Sequence, residues 1–388
     1  MPVLLPVLAL AVFAQGTSEF MLSGLVPSIA DDLSVSTGSA ASLTSAYAIG
    51  MVLGAPPMAA LSARWPRRLA LTVFLAVFVA VHAVGALTHS FPLLFATRVV
   101  AAVANAGFLA VAMSVATALA APERQTRATA VLLSGVTLSI VAGVPGGALL
   151  GAWAGWRAVF WAVALLCLPA LALVVRAAPA GTGGGREVPV AGELRALASR
   201  QVREALLLAA AVNGATFAVF AYLAVIATGP AGLPGGAVPA LLAAFGAGAF
   251  AGVVTTGRTG DGRLGPGLRL TLCALPAGWA AVALAGHRPV PLFLLATVLG
   301  GLSFGAGSAL VGRVMRTASP EAPALSGAFA TVALNAGAVA GPLLAGAVAG
   351  ATGDARDAAW VSAALAATAA AAVLRPAAAR RTGARADV

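Results

Sequence analysis

The chain has 388 residues, of which 60% are hydrophobic and 9% charged, and its formal net charge is +11. Soluble domains carry about 25% charged residues, so this composition excludes an ordinary soluble protein and indicates a polytopic membrane protein. The net positive charge does not indicate nucleic-acid binding, because the basic residues fall in short gaps between apolar runs.

Every basic residue is an arginine, and the arginines predict which side of the membrane each gap faces. If the gaps alternate sides from a cytoplasmic N-terminus, nearly all arginines lie in cytoplasmic gaps or in the tail. The exceptions are Arg98, Arg157, Arg288 and Arg356. We therefore expect a multi-pass protein of the cell membrane with both termini in the cytoplasm. Its cytoplasmic arginines would contact anionic lipid headgroups.

The first predicted span, from about Val3 to Ile29, contains Glu19, an acidic residue placed well inside an apolar segment. Gln15, Glu19 and Ser23 recur at intervals of four and form one polar stripe on a helix. At about 1.5 Å per residue, Glu19 falls near the middle of a hydrocarbon layer about 30 Å thick. A carboxylate there costs at least about 2.5 kcal/mol, which favours a role in proton or ligand binding. The alternative is a protonated carboxyl satisfied by a neighbouring helix.

Span 4 carries a second charged group. Spans 2 to 4 are predicted at about Ala40–Leu61, Leu69–Leu87 and Phe91–Leu119. Tyr47 is the polar-tipped aromatic residue of span 2. Arg98 lies some two turns into span 4, with Asn105 on the same helical face. An arginine inside a span needs a partner or water, and the alternative is that its side chain snorkels to the outer interface.

Span 5, from about Ala128 to Ala152, has glycines at intervals of four. Gly143, Gly147 and Gly151 would let another helix approach its backbone, and Pro145 interrupts its hydrogen bonding. Generic close packing is the alternative reading. Span 6 follows and ends near Arg176.

Residues 177–203 are rich in glycine, proline and charge, which indicates a cytoplasmic linker whose second part forms a short surface helix. The linker separates an N-terminal half, 1–176, from a C-terminal half, 204–374, and residues 375–388 form a cytoplasmic tail. Spans 7 to 12 are predicted at about Glu204–Thr228, Ala237–Thr256, Leu268–Gly286, Val290–Met315, Ala324–Ala349 and Ala358–Leu374.

The two halves are related by a shift of 198 residues, which takes Gly143 to Gly341. Similar halves are typical of secondary transporters, whose ligand site lies near the membrane midplane between them. The same shift takes Glu19 to Phe217 and Arg98 to an alanine. We therefore expect the ionisable chemistry in the first half and an apolar wall in the second.

These motifs resemble the major facilitator superfamily, in its twelve-span drug:proton antiporter branch. GTSEFMLSGLVPSIADDL resembles the first-span signature of that branch, and Arg98 followed by NAGF resembles its proton-coupling motif. GVPGGALLG, followed by GWRAVFW, resembles the antiporter motif, which places Gly143, Pro145, Gly146, Gly147 and Gly151 in it. The first two spans look most like those of actinobacterial chloramphenicol exporters. The resemblance implies an all-α integral membrane fold of two six-helix bundles, related by pseudo-two-fold symmetry around a central cavity.

The resemblance implies a proton-coupled exporter of small amphipathic drugs, of which chloramphenicol is the first candidate. Glu19 and Arg98 are the expected proton-coupling pair, with no cofactor besides the proton gradient. Residues expected at the substrate cavity from depth and type are Gln15, Phe20, Ser23, Tyr47, Asn105, Asn213, Phe217 and Asn335. The protein is expected to work as a monomer. Export of a sugar or nucleoside is the alternative.

The loop between spans 2 and 3 resembles the family's gating loop but lacks its acid, because Ala63 occupies that position. The expected gating residues are Arg64, Arg67 and Arg68 in this loop, and Gly257 and Asp261 in its copy between spans 8 and 9. The missing acid implies that the latch relies on the second copy or on contacts with helix dipoles.

Other function classes lack support in the sequence. An enzyme needs paired carboxylates, a histidine cluster or an activated nucleophile, and none occurs at useful spacing. His82, His89 and His287 are scattered, so no metal site is expected. The two-half repeat and the interrupted helices favour alternating access over a channel or a scaffold.

Overall fold

The computed structural model describes residues 4–62, 65–118, 131–132, 135–136, 138–178, 190–259, 265–322 and 325–374. Over these ranges every regular secondary-structure element is a helix, and turns and short connections make up the rest. Eleven of the described helices are long and apolar enough to cross a membrane, and a shorter apolar helical segment spans Ser139–Ala154. The chain is therefore an all-α, multi-pass membrane protein, as the composition predicts.

The N-terminal half contains seven described α-helices. They are α1 (Leu4–Phe20), α2 (Val26–Leu33), α3 (Thr37–Ser62), α4 (Arg67–Leu87), α5 (Phe91–Ala118), α6 (Val144–Ala154) and α7 (Trp156–Ala177). A 3-10 turn, Met21–Gly24, joins α1 to α2, and a π-helical turn, Ser139–Gly143, precedes α6. Predicted spans 2, 3, 4 and 6 agree with α3, α4, α5 and α7 to within a turn.

The C-terminal half repeats this order. Its helices are α8 (Arg200–Phe220), α9 (Leu223–Thr228), α10 (Val238–Thr259), α11 (Pro266–Ala285), α12 (Pro289–Ala318), α13 (Ser326–Thr352) and α14 (Ala358–Leu374). They match predicted spans 7 to 12, with α8 and α9 together forming span 7. The tail, 375–388, lies outside the described residues.

The first span of each half is broken, so Ser23 does not share one continuous α-helix with Gln15 and Glu19, as the predicted polar stripe assumed. The α-helix ends at Phe20, and a 3-10 turn carries the chain into α2. In the second half, α8 ends at Phe220, and α9 begins at Leu223. The two breaks correspond under the 198-residue shift. A 3-10 turn replaces i→i−4 hydrogen bonds with i→i−3 bonds, which changes the direction of the backbone without lowering hydropathy.

The repeat is visible in glycine packing. Gly50 and Gly54 of α3 lie directly against the backbone of α5 at Val99 and Val103. Their counterparts under the 198-residue shift are Gly248 and Gly252 of α10, which lie against backbone carbonyls of α12. In both halves a side chain at these positions would collide with the neighbouring helix, so the closest helix pair is built by the same two glycines.

The two halves meet along α3 and α13. The Ser45 hydroxyl donates to the Val339 carbonyl at 3.1 Å. Gly38 and Gly346 meet at the end of the bundle where α3 begins and α13 ends, which we call the distal end. A Cβ atom on Gly346 would lie 2.9 Å from the Tyr222 hydroxyl and 4.0 Å from the Gly38 Cα. The halves are therefore in contact at the distal end.

The linker contributes to the second half. Its residues 179–189 lie outside the described residues, and its second part forms two short helical turns, Val190–Glu193 and Leu194–Ala198. The Glu193 side chain is buried, and its Oε2 accepts a 2.8 Å hydrogen bond from the Leu325 backbone N–H. The linker is thus anchored just before α13 begins.

An ion pair ties three elements together at the distal end. Arg157, at the start of α7, pairs with Asp32 at the end of α2, and it donates to the Thr88 carbonyl just beyond α4 at 3.1 Å. The Arg157 hydrogen bond, and the smaller contribution from Trp156, lower the pKa of the Asp32 carboxyl below its usual value. Both side chains are partly exposed, so the pair is a modest clamp.

Replacing Gly252 by alanine should destabilise the C-terminal half. The new Cβ would collide with the Gly301 backbone, and two helix backbones must then separate, at a cost of about 1–3 kcal/mol. The control is Gly307→Ala in α12, where nothing lies within 4 Å and the change should be neutral or stabilising. Thermal unfolding in detergent measures both, and equal unfolding midpoints for the two variants would contradict this packing.

Replacing Asp32 by asparagine should lower the free energy of unfolding at neutral pH by no more than about 1 kcal/mol. The unfolding midpoint should fall slightly as a result. The pKa of Asp32 is lower in the folded state than in the unfolded state, so the carboxylate stabilises the fold fully at pH values above the unfolded-state pKa. This stabilisation is lost as the pH falls through the folded-state pKa. The difference from wild type should therefore vanish in strong acid. Asp31→Asn, at the neighbouring exposed acid, is the control and should leave the unfolding midpoint at neutral pH close to that of the wild type.

Candidate functional site

Glu19 lies in the last turn of α1, beside the break in the first span. Its side chain is half-buried, whereas Ser18 and Phe20 on either side are buried. Among the described residues, no hydrogen bond or ion pair reaches its carboxyl group. A carboxyl without a fixed partner is free to exchange a proton or to contact a ligand.

Arg98 points inward from α5 and binds the end of α1. Its Nη1 donates to the Ser18 hydroxyl at 2.7 Å, and its Nη2 donates to the Ser18 carbonyl at 2.6 Å. The side chain is 1% exposed, so the alternative that it snorkels to the interface was wrong. A guanidinium at the negative end of a helix is stabilised by the helix dipole. Glu19 and Arg98 lie close enough to interact electrostatically, but they form no ion pair.

Aromatic rings hold the guanidinium from the side. The Arg98 Cζ lies 4.5 Å from the centroid of the Tyr47 ring and 5.8 Å from that of Phe160. A cation over an aromatic face is attracted by the ring quadrupole, by about 2 kcal/mol when desolvated. Tyr47 is itself 1% exposed. The structure therefore places Tyr47, expected at the substrate cavity, against Arg98.

His82 of α4 joins the same group, although no sequence pattern indicated a role for it. Its Nε2 lies 2.6 Å from the Ser18 hydroxyl, and its Nδ1 lies 2.7 Å from the Phe78 carbonyl. Ser18 and His82 are 64 residues apart and both are buried. Only a contact between α1 and α4 brings them together, so no local pattern in the sequence could have found the pair.

Other predicted cavity residues near Glu19 have different environments. The Gln15 side chain is fully buried, and neither amide atom has a partner among the described residues. The Ser23 hydroxyl donates to the Phe20 carbonyl at 3.0 Å, within the break. The Asn105 amide lies 3.7 Å from the Met51 sulfur. Gln15 is therefore the buried amide here that retains unused hydrogen-bonding capacity at both atoms.

The two asparagines of the second half bond to backbone carbonyls. Asn213 of α8 donates to the Leu334 carbonyl of α13 at 2.7 Å. Asn335 donates to the Thr331 carbonyl of its own helix at 3.0 Å. Their amide nitrogens thus bind backbone within the second half.

An aromatic row crosses from the first half into the second. Phe20 of α1 contacts Phe217 of α8 with ring centroids 5.9 Å apart, and Phe217 contacts Phe220 at 5.8 Å. The row continues to Phe245 of α10 at 4.9 Å and to Phe304 of α12 at 6.0 Å. Phe217 is the repeat counterpart of Glu19, and its ring contacts Phe20, the residue that follows the acid in the first half.

The span 5 glycines pack against the first span. A Cβ on Gly143 would meet Thr17, one on Gly147 would meet Met21, and one on Gly151 would meet Leu25. Both series advance by four residues, so the π turn and α6 follow the broken first span turn by turn. Gly146, with nothing within 4 Å, faces away from this contact, and Pro145 lies in the first turn of α6.

The expected gating residues are only partly described. Arg64 and Asp261 lie outside the described residues, and Gly257 lies in the last turns of α10. Arg67 begins α4. Arg68 donates from Nε to the Ala178 carbonyl at 2.8 Å and from Nη2 to the Arg176 carbonyl at 3.2 Å. Arg68 therefore binds the negative end of α7, which is a helix-dipole contact within the first half.

A separate cavity of about 920 Å³ opens between α10, α11 and α12. Small residues and threonines line it, and none of the predicted site residues is among its described lining. Within the described residues, no cluster of three histidine, cysteine or acidic side chains could hold a metal ion.

Comparisons with known proteins agree with this architecture. The chain is 52% identical over 375 residues to the "Chloramphenicol resistance protein" of Streptomyces lividans, with 95% of each chain covered. It is 32% identical over 345 residues to "Inner membrane transport protein YdhP" of Escherichia coli (strain K12), with 88% of each covered.

Among solved structures, a bacterial homolog of the human lysosomal transporter Spinster, in an inward-facing and occupied conformation, superposes with a TM-score of 0.77 at 16% identity. That match covers 97% of this chain and 96% of the other. The nucleoside transporter NupG gives a TM-score of 0.77 at 14% identity, covering 96% and 99%. At these identities the likeness concerns the fold alone. A sequence profile described as "Major Facilitator Superfamily" matches residues 8–287, and the chain belongs to that superfamily.

Proposed function

We propose that this chain is a proton-coupled exporter of small amphipathic drugs, with chloramphenicol and related phenicols as its substrates. The observation that carries the proposal is the position of Glu19, a half-buried carboxyl without a bonded partner among the described residues, beside the break in the first span. The high identity to a chloramphenicol resistance protein supports the choice of substrate.

Glu19 would act as the proton site. An apolar environment favours the neutral form of a carboxyl, whereas a nearby cation favours the charged form. Arg98 is such a cation, but its Nη1 and Nη2 groups bind Ser18. Proton binding at Glu19 and drug binding next to it would then compete, and export would follow from the proton gradient without another cofactor.

The surroundings of Glu19 suit a neutral substrate with an aromatic ring and hydroxyl groups. Phe20 and Phe217 offer apolar ring surface where the two halves meet. The half-buried Glu19 offers a hydrogen-bonding group, and one turn away on α1 the buried Gln15 amide has no protein partner among the described residues. A binding site of apolar walls with a few polar groups is typical for small molecules.

Export of a sugar or nucleoside is the alternative. Such substrates carry many hydroxyl groups and need many polar partners. Asn213 and Asn335, the amides expected from the second half, already donate to backbone carbonyls. This arrangement favours the less polar substrate.

The proposal includes the orientation and assembly of the protein. Both termini are cytoplasmic, since this orientation puts nearly all of the arginines on the cytoplasmic side. The protein works as a monomer in the cell membrane, because both six-span halves that form the site belong to one chain.

Replacing Glu19 by glutamine should abolish proton-driven chloramphenicol uptake into everted vesicles, because the amide cannot release a proton. The matched control is Glu204→Gln, which makes the same change at an exposed acid paired with Arg200. It should leave transport near the wild-type rate. Wild-type uptake should collapse with an uncoupler.

Full phenicol transport by Glu19→Gln would overturn the assignment of the proton site. A sugar and a nucleoside in the same assay test the alternative, and uptake of either one in place of chloramphenicol would favour it.

A further inference from the structure

A continuous hydrogen-bonded chain links three transmembrane helices beside Glu19. It runs from Arg98 of α5 to Ser18 of α1, from Ser18 to His82 of α4, and from His82 to the Phe78 carbonyl. Arg98, Ser18 and His82 are each no more than 1% exposed. Buried polar groups held this closely form a fixed network, because leaving any one of them unpaired is costly.

The donors and acceptors in this chain can be assigned from its partners. The Phe78 carbonyl only accepts, so the His82 Nδ1 must carry a hydrogen. The Ser18 oxygen accepts from the Arg98 Nη1, which leaves the hydroxyl hydrogen to point at the His82 Nε2. A second proton on the imidazole would place a cation one hydroxyl group away from the guanidinium. The arrangement therefore requires a neutral imidazole with a bare Nε2.

The network holds the cation away from the acid. The Arg98 guanidinium binds the hydroxyl and carbonyl of Ser18 and lies over the Tyr47 ring. Glu19 is the next residue along the chain and interacts electrostatically with Arg98, so its carboxylate is the alternative partner for a guanidinium that leaves Ser18. The group that fixes the Ser18 hydroxyl therefore decides whether Arg98 binds Ser18 or the Glu19 carboxylate.

We propose that His82 is a positioning residue for proton coupling, which fixes the Ser18 hydroxyl and thereby holds Arg98 on the end of α1 and off Glu19. His82 does not touch the substrate or carry the transported proton. It keeps Glu19 able to bind a proton, and the inference rests on the proposed function in this respect.

Few other groups face this network. The ionisable side chains that interact with Arg98 from the packed helices are Glu19 on α1 and Tyr47 on α3, and Cys167 on α7 interacts with Tyr47. The described part of α4 adds no other ionisable side chain at this depth, since Arg67 and Arg68 lie in its first turn. A change in the pH dependence of transport can therefore be traced to Glu19 and its distance from Arg98.

The imidazole state can be tested directly, without transport. The chain has three histidines, so a His89→Gln, His287→Gln variant carrying 15N-labelled histidine reports on His82 alone. At about pH 7, we expect one protonated nitrogen and one bare nitrogen. Ser18→Ala should shift the signal of the bare nitrogen by removing its hydrogen bond. An imidazolium, a proton on Nε2, or a spectrum that Ser18→Ala leaves unchanged would overturn the inference.

The role in coupling can be tested through the pH dependence of chloramphenicol-induced proton release from the purified protein. His82→Leu removes the acceptor for the Ser18 hydroxyl and releases Arg98 toward Glu19. A cation next to a carboxylate favours its charged form, so the pH midpoint of release should fall by about one unit. His82→Gln should retain the wild-type midpoint, because its amide can both donate and accept.

Ser18→Ala, a small change at the same network, provides a second test if His82→Leu does not fold. It should lower the midpoint in the same direction, and wild-type midpoints in the folded variants would count against the positioning role. Proton release that persists in Glu19→Gln would instead contradict the proposed function. The nitrogen spectrum does not depend on transport, so the two failures are distinguishable.

Discussion

The structure depends on how one guanidinium is accommodated inside the membrane. Arg98 has no carboxylate partner in the part of the chain that the structure describes, and it is instead stabilised by the carbonyl end of α1, the Ser18 hydroxyl and the face of Tyr47. These contacts explain why the break in the first span lies next to the arginine: ending α1 frees carbonyl groups that a cation can bind. The charge and the helix break therefore support each other. The same arrangement leaves Glu19 beside a cation but not neutralised by it, which is the condition that a reversible proton site needs.

Much of the architecture could be predicted from the sequence, because it depends on properties that each segment carries by itself. Apolar runs of sufficient length predict the spans. The shift from Gly143 to Gly341 predicts the repeat, and the equivalent glycine contacts of α3 and α10 confirm it. The break after Phe20 was missed, because a 3-10 turn in an apolar segment leaves hydropathy unchanged. His82 and the true environment of Tyr47 were missed for another reason: both depend on contacts between helices that are far apart in sequence.

The two halves share a scaffold and differ in chemistry. Glycines at corresponding positions bring corresponding helices together, so the backbone frame is duplicated. At the corresponding side-chain positions, one half carries Glu19 and the other Phe217, whose ring contacts Phe20 across the boundary. On the proposed function, one half changes charge while the other contributes an apolar surface. A conformational signal from Glu19 would then cross to the second half through ring packing, the contacts of α3 with α13, and the contact of Gly246 in α10 with the Ile140 backbone.

The contact between the two halves at the distal end is weak for its size. At that end, Gly38 and Gly346 bring two backbones together, and the Tyr222 hydroxyl beside them is buried without a partner among the described residues. Small residues in contact contribute little dispersion energy per residue, and a buried hydroxyl without a partner gains hydration when the end opens. Both features lower the free energy gained by closing this end. A ligand needs only a modest difference in affinity between the two forms to shift their populations.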